Sequence, residues 1–135
     1  MDKEEVDYRI RIFGERRPTM KAVQLYVKIH GFEEPFLALG SPELFHGRIL
    51  REFLVYEGIP YELELIREED FPKRRGKLYR AVGFGKACTM HLDRNVLVLS
   101  GESEAYRKKA HVRHARDLHR HLPEFRIISL HLPHE

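Results

Sequence analysis

Short segments that alternate between apolar and polar residues limit most strongly what this chain can fold into. Residues 6–13 and 23–30 show this period of two, which is typical of β-strands with one buried face. Gly14 and Pro18 follow the first segment and Gly31 ends the second, so each is expected to run into a turn. The sequence therefore predicts a domain that opens with two strands.

Further segments with strand character follow along the chain. Alternation or β-branched content predicts strands at residues 36–39, 61–66, 78–84, 96–99 and 125–130. The glycines within residues 83–86 are expected to interrupt the pattern. Residues 67–77 are expected to form a charged, exposed connection.

Two helices are predicted between the strands. Phe45, Ile49 and Phe53 recur at spacings of four, which predicts a helix over about residues 43–57 with Ser41 as its N-cap. A second helix is expected from Ser103 until Pro123. The order of elements predicts an α+β fold, with a mixed or mostly antiparallel sheet and two helices packed on it. We expect one domain over residues 1–135, with a core at about 20–130 and a charged insertion at about 66–82.

Composition excludes several classes of protein. The net charge is only +3, from 24 basic and 21 acidic residues, which alone does not indicate a nucleic-acid-binding protein. Cys88 is the single cysteine, so an intrachain disulfide and a cysteine-built zinc site are both excluded. No run approaches the roughly 18 apolar residues of a membrane helix, and residues 1–5 lack the apolar stretch of a secretory signal. We expect a cytoplasmic protein with no membrane partner, and its charge-rich composition is like that of thermophile proteins.

Five of the nine histidines fall between His111 and His131. A metal cluster is not expected there, because on a helix His119 and His121 point about 200° apart. We expect no metal and no cofactor. His111 lies on the same side as Ala115 and is expected to be a buried structural histidine.

The same region is strongly basic. Residues 107–121 contain six Lys or Arg residues against one acid, Asp117. This pattern fits either a solvated helix face or a surface that binds phosphates of nucleic acid or another polyanion.

Two places in the sequence favour anion binding. His46 is followed by Gly47 near the start of the first predicted helix, where backbone amides lack partners and a missing side chain lets a ligand approach. Ser103 lies near the predicted start of the second helix, where its hydroxyl either caps the helix or donates to a bound oxyanion.

Several short motifs stand out together. They are Gly101-x-Ser103-x-Ala105-Tyr106 followed by His111, the helix start His46 with Ile49, the stretch Gly83-Phe84-Gly85-Lys86, the strand Val27-Lys28-Ile29-His30, and Leu118 through Pro123-Glu124-Phe125. In these motifs the chain resembles the protein histidine phosphatase (janus/ocnus) family. The resemblance covers roughly residues 20–130.

The resemblance implies a metal-independent phosphatase that acts on phosphohistidine or a related phosphoramidate. His46 would act as base or nucleophile, and the amides of Gly47, Ala105 and Tyr106 with the Ser103 hydroxyl would hold the phosphoryl oxygens. Lys86 would be the basic residue near the pocket. The sequence differs from the family pattern at Arg107, where glycine is usual.

Three hypotheses about function follow. The first is this phosphatase, whose partner would be a phosphorylated protein or a small phosphoramidate. The second is a non-enzymatic module that binds nucleic acid or another polyanion through the basic second helix and the insertion. The third is an anion-binding domain that regulates a partner. The sequence does not indicate an oligomeric state.

Overall fold

The computed structural model describes residues 3–7, 9–91 and 94–130. Its strands and helices, in chain order, are β1 (Lys3–Asp7), β2 (Ile10–Phe13), β3 (Thr19–Ile29), β4 (Phe32–Gly40), α1 (His46–Glu57), β5 (Leu63–Ile66), β6 (Glu69–Pro72), β7 (Tyr79–His91), β8 (Val96–Ser100), β9 (Glu102–Ser103), β10 (Lys108–Lys109), α2 (Val112–His121) and β11 (Arg126–Ser129).

Seven strands form one mixed sheet in the order β1-β2-β4-β3-β7-β8-β11. The β2–β4 and β8–β11 pairs are parallel, and the other neighbours are antiparallel. Two hairpins, β5–β6 and β9–β10, stand apart from this sheet. The single domain with an α+β fold is confirmed.

The two helices cover opposite faces of the sheet. On the face covered by α1, the helix residues Ile49, Leu50 and Phe53 are buried in a cluster that includes Phe84 of β7. Against α2, Ala115, Leu118 and Leu122 belong to a second cluster that includes side chains of β2, β4 and β8. Alternate residues of a strand face opposite sides of the sheet, so the central strands contribute to both cores.

The first helix begins later than its apolar spacing predicts. Ser41 is not its N-cap, because residues 41–44 form a turn closed by a 3.0 Å hydrogen bond from Leu44 N to Ser41 O. Phe45 is the N-cap and His46 the first helical residue. The predicted end is correct, since Gly58 closes the helix in the left-handed region with φ of 68°.

The prediction of a second helix from Ser103 is wrong at its start. Residues 102–109 form the β9–β10 hairpin, and α2 begins at Val112. His111 is the N-cap of α2, and its Nδ1 accepts a hydrogen bond from His114 N. The fully buried histidine of this region is therefore His114 and not His111.

The predicted break at residues 83–86 is also wrong, because these residues lie within the long strand β7. The glycines coincide with irregular pairing: the register of β3 against β7 shifts at Gln24/Leu25 and again at Met20/Ala22. Residues 67–77 are not simply an exposed connection. They contain β6, whose Phe71 is buried against α1.

The first segment of predicted strand is split into β1 and β2, and Tyr8 between them lies outside the described residues. In the described ranges, none of the helices has the length and apolar character needed to cross a membrane.

Candidate functional site

A cavity of about 350 Å³ opens beside the start of α1. Four of the six site residues predicted from the sequence line it, namely His46, Lys86, Ser103 and Ala105. They come from α1, β7 and the β9–β10 hairpin. The fold thus brings together motifs that lie almost sixty residues apart in the chain. The other lining residues are Lys21, Phe45, Arg67, Glu69, Phe71, Glu102 and Glu104.

The imidazole of His46 is held in one orientation at the cavity wall. Its Nε2 lies 2.9 Å from the carbonyl oxygen of Gly85. A carbonyl only accepts, so Nε2 carries the hydrogen and Nδ1 of the neutral ring keeps its lone pair. The ring also packs edge-to-face on Phe84, with centroids 5.6 Å apart.

Burial keeps His46 neutral. The side chain is 7% exposed, and burial lowers its pKa from 6.5 to about 4, with a smaller lowering from the charge of Lys21 and an opposing contribution from the Gly85 hydrogen bond. A neutral imidazole with a free lone pair is a competent base or nucleophile near pH 7.

Three amides at the amino end of α1 have no acceptor within the helix; of these residues His46 lines the cavity, whereas Gly47 and Arg48 line an adjoining one. The intrahelical bonds begin at Ile49, whose N donates to Phe45 O at 3.1 Å. The amides of His46, Gly47 and Arg48 therefore have no acceptor within the helix. Phe45 gives no side-chain cap, and the first turn contains no acidic residue. An uncapped helix start of this kind favours an anion.

An irregularity in the sheet places two lysines at the cavity. Between the pairs Met20↔Cys88 and Ala22↔Gly85, Lys21 alone faces Lys86 and Ala87 on β7. Burial lowers the pKa of Lys21, the neighbouring charge of Lys86 lowers it further, and Glu43 opposes the change. Two cations in electrostatic contact favour an anion between them. Lys21 is not among the site residues predicted from the sequence, because the shift in register that brings it to Lys86 leaves no local pattern.

Ser103 organises the turn that faces His46. Its Oγ accepts a hydrogen bond from Tyr106 N at 3.2 Å, and its carbonyl accepts from Arg107 N at 2.8 Å. The hydroxyl hydrogen remains available as a donor, and Ser103 lines the cavity. Arg107 has a φ of 53°, in the left-handed region where glycine is favoured. The chain therefore follows a glycine-type path at this position with an arginine.

Gly47 makes room for a packed side chain, and not for a ligand as its place in the sequence suggests. A Cβ at Gly47 would lie 2.3 Å from Cδ1 of Phe71, so the space left by the missing side chain is filled by that ring. The absence of a side chain at Gly47 allows β6 to pack on the start of α1. The amide of Gly47 remains one of the three at this helix end that have no acceptor within the helix.

Tyr106 lies behind the cavity wall and not in its lining. Its ring stacks on Phe84 at a centroid distance of 4.6 Å, and its hydroxyl donates to Pro72 O at 2.7 Å. Its amide is already engaged by Ser103. The contacts of Tyr106 therefore support the ring packing around His46.

Acidic side chains share the cavity with these cations. Glu69, Glu102 and Glu104 line it, and Glu104 forms a 3.1 Å ion pair with Arg67 at the β5–β6 turn. Arg67 and Phe71 belong to the segment predicted as an insertion, so this segment builds one wall of the cavity.

The remaining histidines of the basic region bind backbone groups. His114 Nε2 lies 3.0 Å from both Leu25 O and Phe36 O, while ring nitrogens of His119 and His121 contact the carbonyls of Phe125 and Asp117. Within residues 3–7, 9–91 and 94–130, no three histidine, cysteine or acidic side chains converge as a metal site would require.

Comparison of the chain with models of known protein families and with curated proteins finds no match.

Proposed function

We propose that the chain is a metal-independent phosphatase that acts on phosphohistidine or a related phosphoramidate. The observation that carries the proposal is the placing of the neutral His46 beside uncapped helix amides, with Lys21 and Lys86 on the same cavity. A phosphoryl group needs donors aimed at its oxygens and a group that acts at phosphorus or on water. The resemblance to the protein histidine phosphatase family supports the same reading.

In this proposal, Nδ1 of His46 is the reactive atom. As a base, it takes a proton from water while the water oxygen bonds to phosphorus and the phosphorus–nitrogen bond of the substrate breaks. As a nucleophile, it bonds to phosphorus while the phosphorus–nitrogen bond of the substrate breaks. In a second step the oxygen of water bonds to phosphorus, the bond to Nδ1 breaks, and the water's proton goes to solvent. In both cases the leaving nitrogen takes a proton from solvent. The hydrogen bond to the Gly85 carbonyl leaves the lone pair on Nδ1 for this role.

Phosphoryl oxygens would be held by the amides at the start of α1, the Ser103 hydroxyl and the two lysines. Amide and hydroxyl donors fixed in advance stabilise charge that develops during transfer. Ala105 lines the cavity, and its amide would complete the set of donors.

Phosphate release from phosphohistidine, measured with EDTA present, tests the proposal. Wild-type protein is expected to turn over, and His46→Ala is expected to lose activity by about two to four orders of magnitude while remaining folded. His121→Ala is the matched control, because this exposed histidine lies outside the cavity. A folded His46→Ala protein with wild-type turnover would refute the role of His46.

A further inference from the structure

A second cleft, of about 490 Å³, shares none of the residues that line the His46 cavity. One acidic side chain, Glu64, lines it together with five basic ones, Lys73, Arg74, Arg75, Arg80 and Lys108. The whole chain carries a net charge of only +3. Two of the five cations are paired with carboxylates, Lys73 with Glu62 and Arg80 with Glu33, and the lining of the cleft remains more basic than acidic.

Two of these cations are placed side by side by the backbone. Arg75 and Arg80 form an isolated antiparallel bridge, closed by a 3.0 Å hydrogen bond from Gly76 N to Tyr79 O. Residues paired across such a bridge present their side chains on the same face, and like charges there are destabilising. A bound anion would relieve this repulsion.

Neighbouring contacts hold the guanidinium groups in position. Arg80 Nε lies 2.6 Å from a carboxylate oxygen of Glu33, and its guanidinium lies 4.6 Å from the ring centroid of Tyr26. Arg74 donates to the carbonyl oxygen of Tyr106 at 3.2 Å. Side chains that are fixed before binding lose less conformational entropy when a ligand arrives.

His111 lines the cleft, and burial together with the neighbouring positive charges lowers its pKa. Burial lowers the pKa of His111, and the charges of Lys108, Arg80 and Arg113 lower it further, against a weaker opposing contribution from Asp117. His111 also caps α2, so the cleft adjoins a helix amino end, which favours anions.

We propose that this cleft binds a compact oligophosphate anion, such as a chain of three linked phosphates, free or carried by a nucleotide. Planar guanidinium groups match phosphate oxygens, and several fixed cations suit a ligand with several charges. His111 is the one ring among the cleft's lining residues and no Phe, Tyr or Trp lines it, so the cleft has no extended stacking platform for bases. The phosphate chain, and not a base, is therefore the recognised group.

Titration with inorganic tripolyphosphate, followed by NMR of the imidazoles and amides, tests this site. We expect saturable binding that raises the pKa of His111, because the anion offsets the nearby positive charges. Orthophosphate is expected to bind this cleft at least roughly tenfold more weakly, since it makes fewer charge-assisted hydrogen bonds. This experiment measures binding of tripolyphosphate and not release of phosphate. A failure to bind in this cleft is therefore distinguishable from a failure of the phosphatase proposal.

Two double variants with equal loss of charge locate the ligand. Arg75→Gln with Lys108→Gln is expected to weaken tripolyphosphate binding roughly tenfold or more. Arg116→Gln with Arg120→Gln, on the exposed face of α2, is expected to have little effect beyond long-range electrostatics. Equal weakening by both double variants would overturn the cleft proposal in favour of general attraction.

Two further ligands distinguish the source of the phosphates. ATP is expected to bind with an affinity close to that of tripolyphosphate, because only its phosphate chain is contacted. Much tighter binding of ATP would overturn recognition of the chain alone. A thymidine oligonucleotide that binds more tightly than tripolyphosphate and shifts residues 113–120 would assign the surface to nucleic acid.

Discussion

His46 donates from Nε2 to the carbonyl oxygen of Gly85, 2.9 Å away, and this bond leaves the lone pair of the neutral ring on Nδ1. The carbonyl belongs to β7, next to the irregular pairing that presents Lys86. One distortion of the sheet therefore orients the proposed reactive group and supplies a cation beside it.

The pH dependence of activity follows from the lowered pKa of His46. The working form is neutral, so activity should fall as pH drops through about 4, and not through 6.5 as for an unperturbed histidine. NMR titration of the His46 imidazole is the direct measurement, because it does not depend on substrate stability. A midpoint near 6.5 would contradict the burial argument.

Stability should also depend on pH through His114. Burial lowers its pKa to about 4, so below pH 6.5 the unfolded chain binds a proton that the folded chain resists. The free energy of unfolding should therefore decrease as pH falls from 6.5 towards 4. In His114→Gln, the decrease over this window should be smaller than in wild type, as measured by urea unfolding at several pH values. An identical pH dependence would show that His114 is not responsible.

Gly47→Ala should destabilise the protein by about 1–3 kcal/mol, because the added methyl group overlaps the Phe71 ring. Gly85→Ala is the control, since a Cβ there would meet its nearest neighbours at ordinary contact distances of 3.5 Å or more. Chemical denaturation measures both. Equal stability of the two variants would contradict the packing of β6 on α1.

Substitution by glycine should affect the stability of the protein differently at Arg107 and at Lys108. Arg107→Gly removes a left-handed strain of about 1–2 kcal/mol and should be neutral or stabilising. Lys108→Gly, in strand β10, should destabilise by about 0.5–1 kcal/mol. Thermal unfolding of both proteins tests the conformation of the turn, and a strongly destabilised Arg107→Gly protein would contradict it.

The sequence predicts the α+β class and most strands, because alternation and helical spacing are local patterns. It fails at residues 103–111, where a hairpin replaces the first part of the predicted helix. There Ser103 satisfies backbone groups within a turn, so its capping tendency does not start a helix. Local signals do not distinguish these two uses of a serine.

Only part of the candidate site can be predicted from local patterns in the sequence. His46 and Ser103 stand out through their motifs, whereas Lys21 enters through a shift in strand register and Arg67 through the turn of a separate hairpin. Both depend on pairing between distant segments, which periodicity along the chain does not encode.

Carboxylates in the His46 cavity should weaken phosphate binding. Replacing Glu102 and Glu104 with Gln should increase the affinity for orthophosphate, most clearly at low salt where screening is weak. Glu124→Gln, outside the cavity, is the control. The same affinity in the double variant would show that these carboxylates do not act on the bound anion.

The central claim is that a phosphoryl group binds between the start of α1 and the turn at Ser103, against His46. Titration with orthophosphate, followed by amide and imidazole shifts of the wild-type protein, tests it most directly. We predict that the His46 and Ala105 amides and the His46 ring shift together with one dissociation constant. Shifts confined to residues 107–120, with these groups unmoved, would contradict the claim.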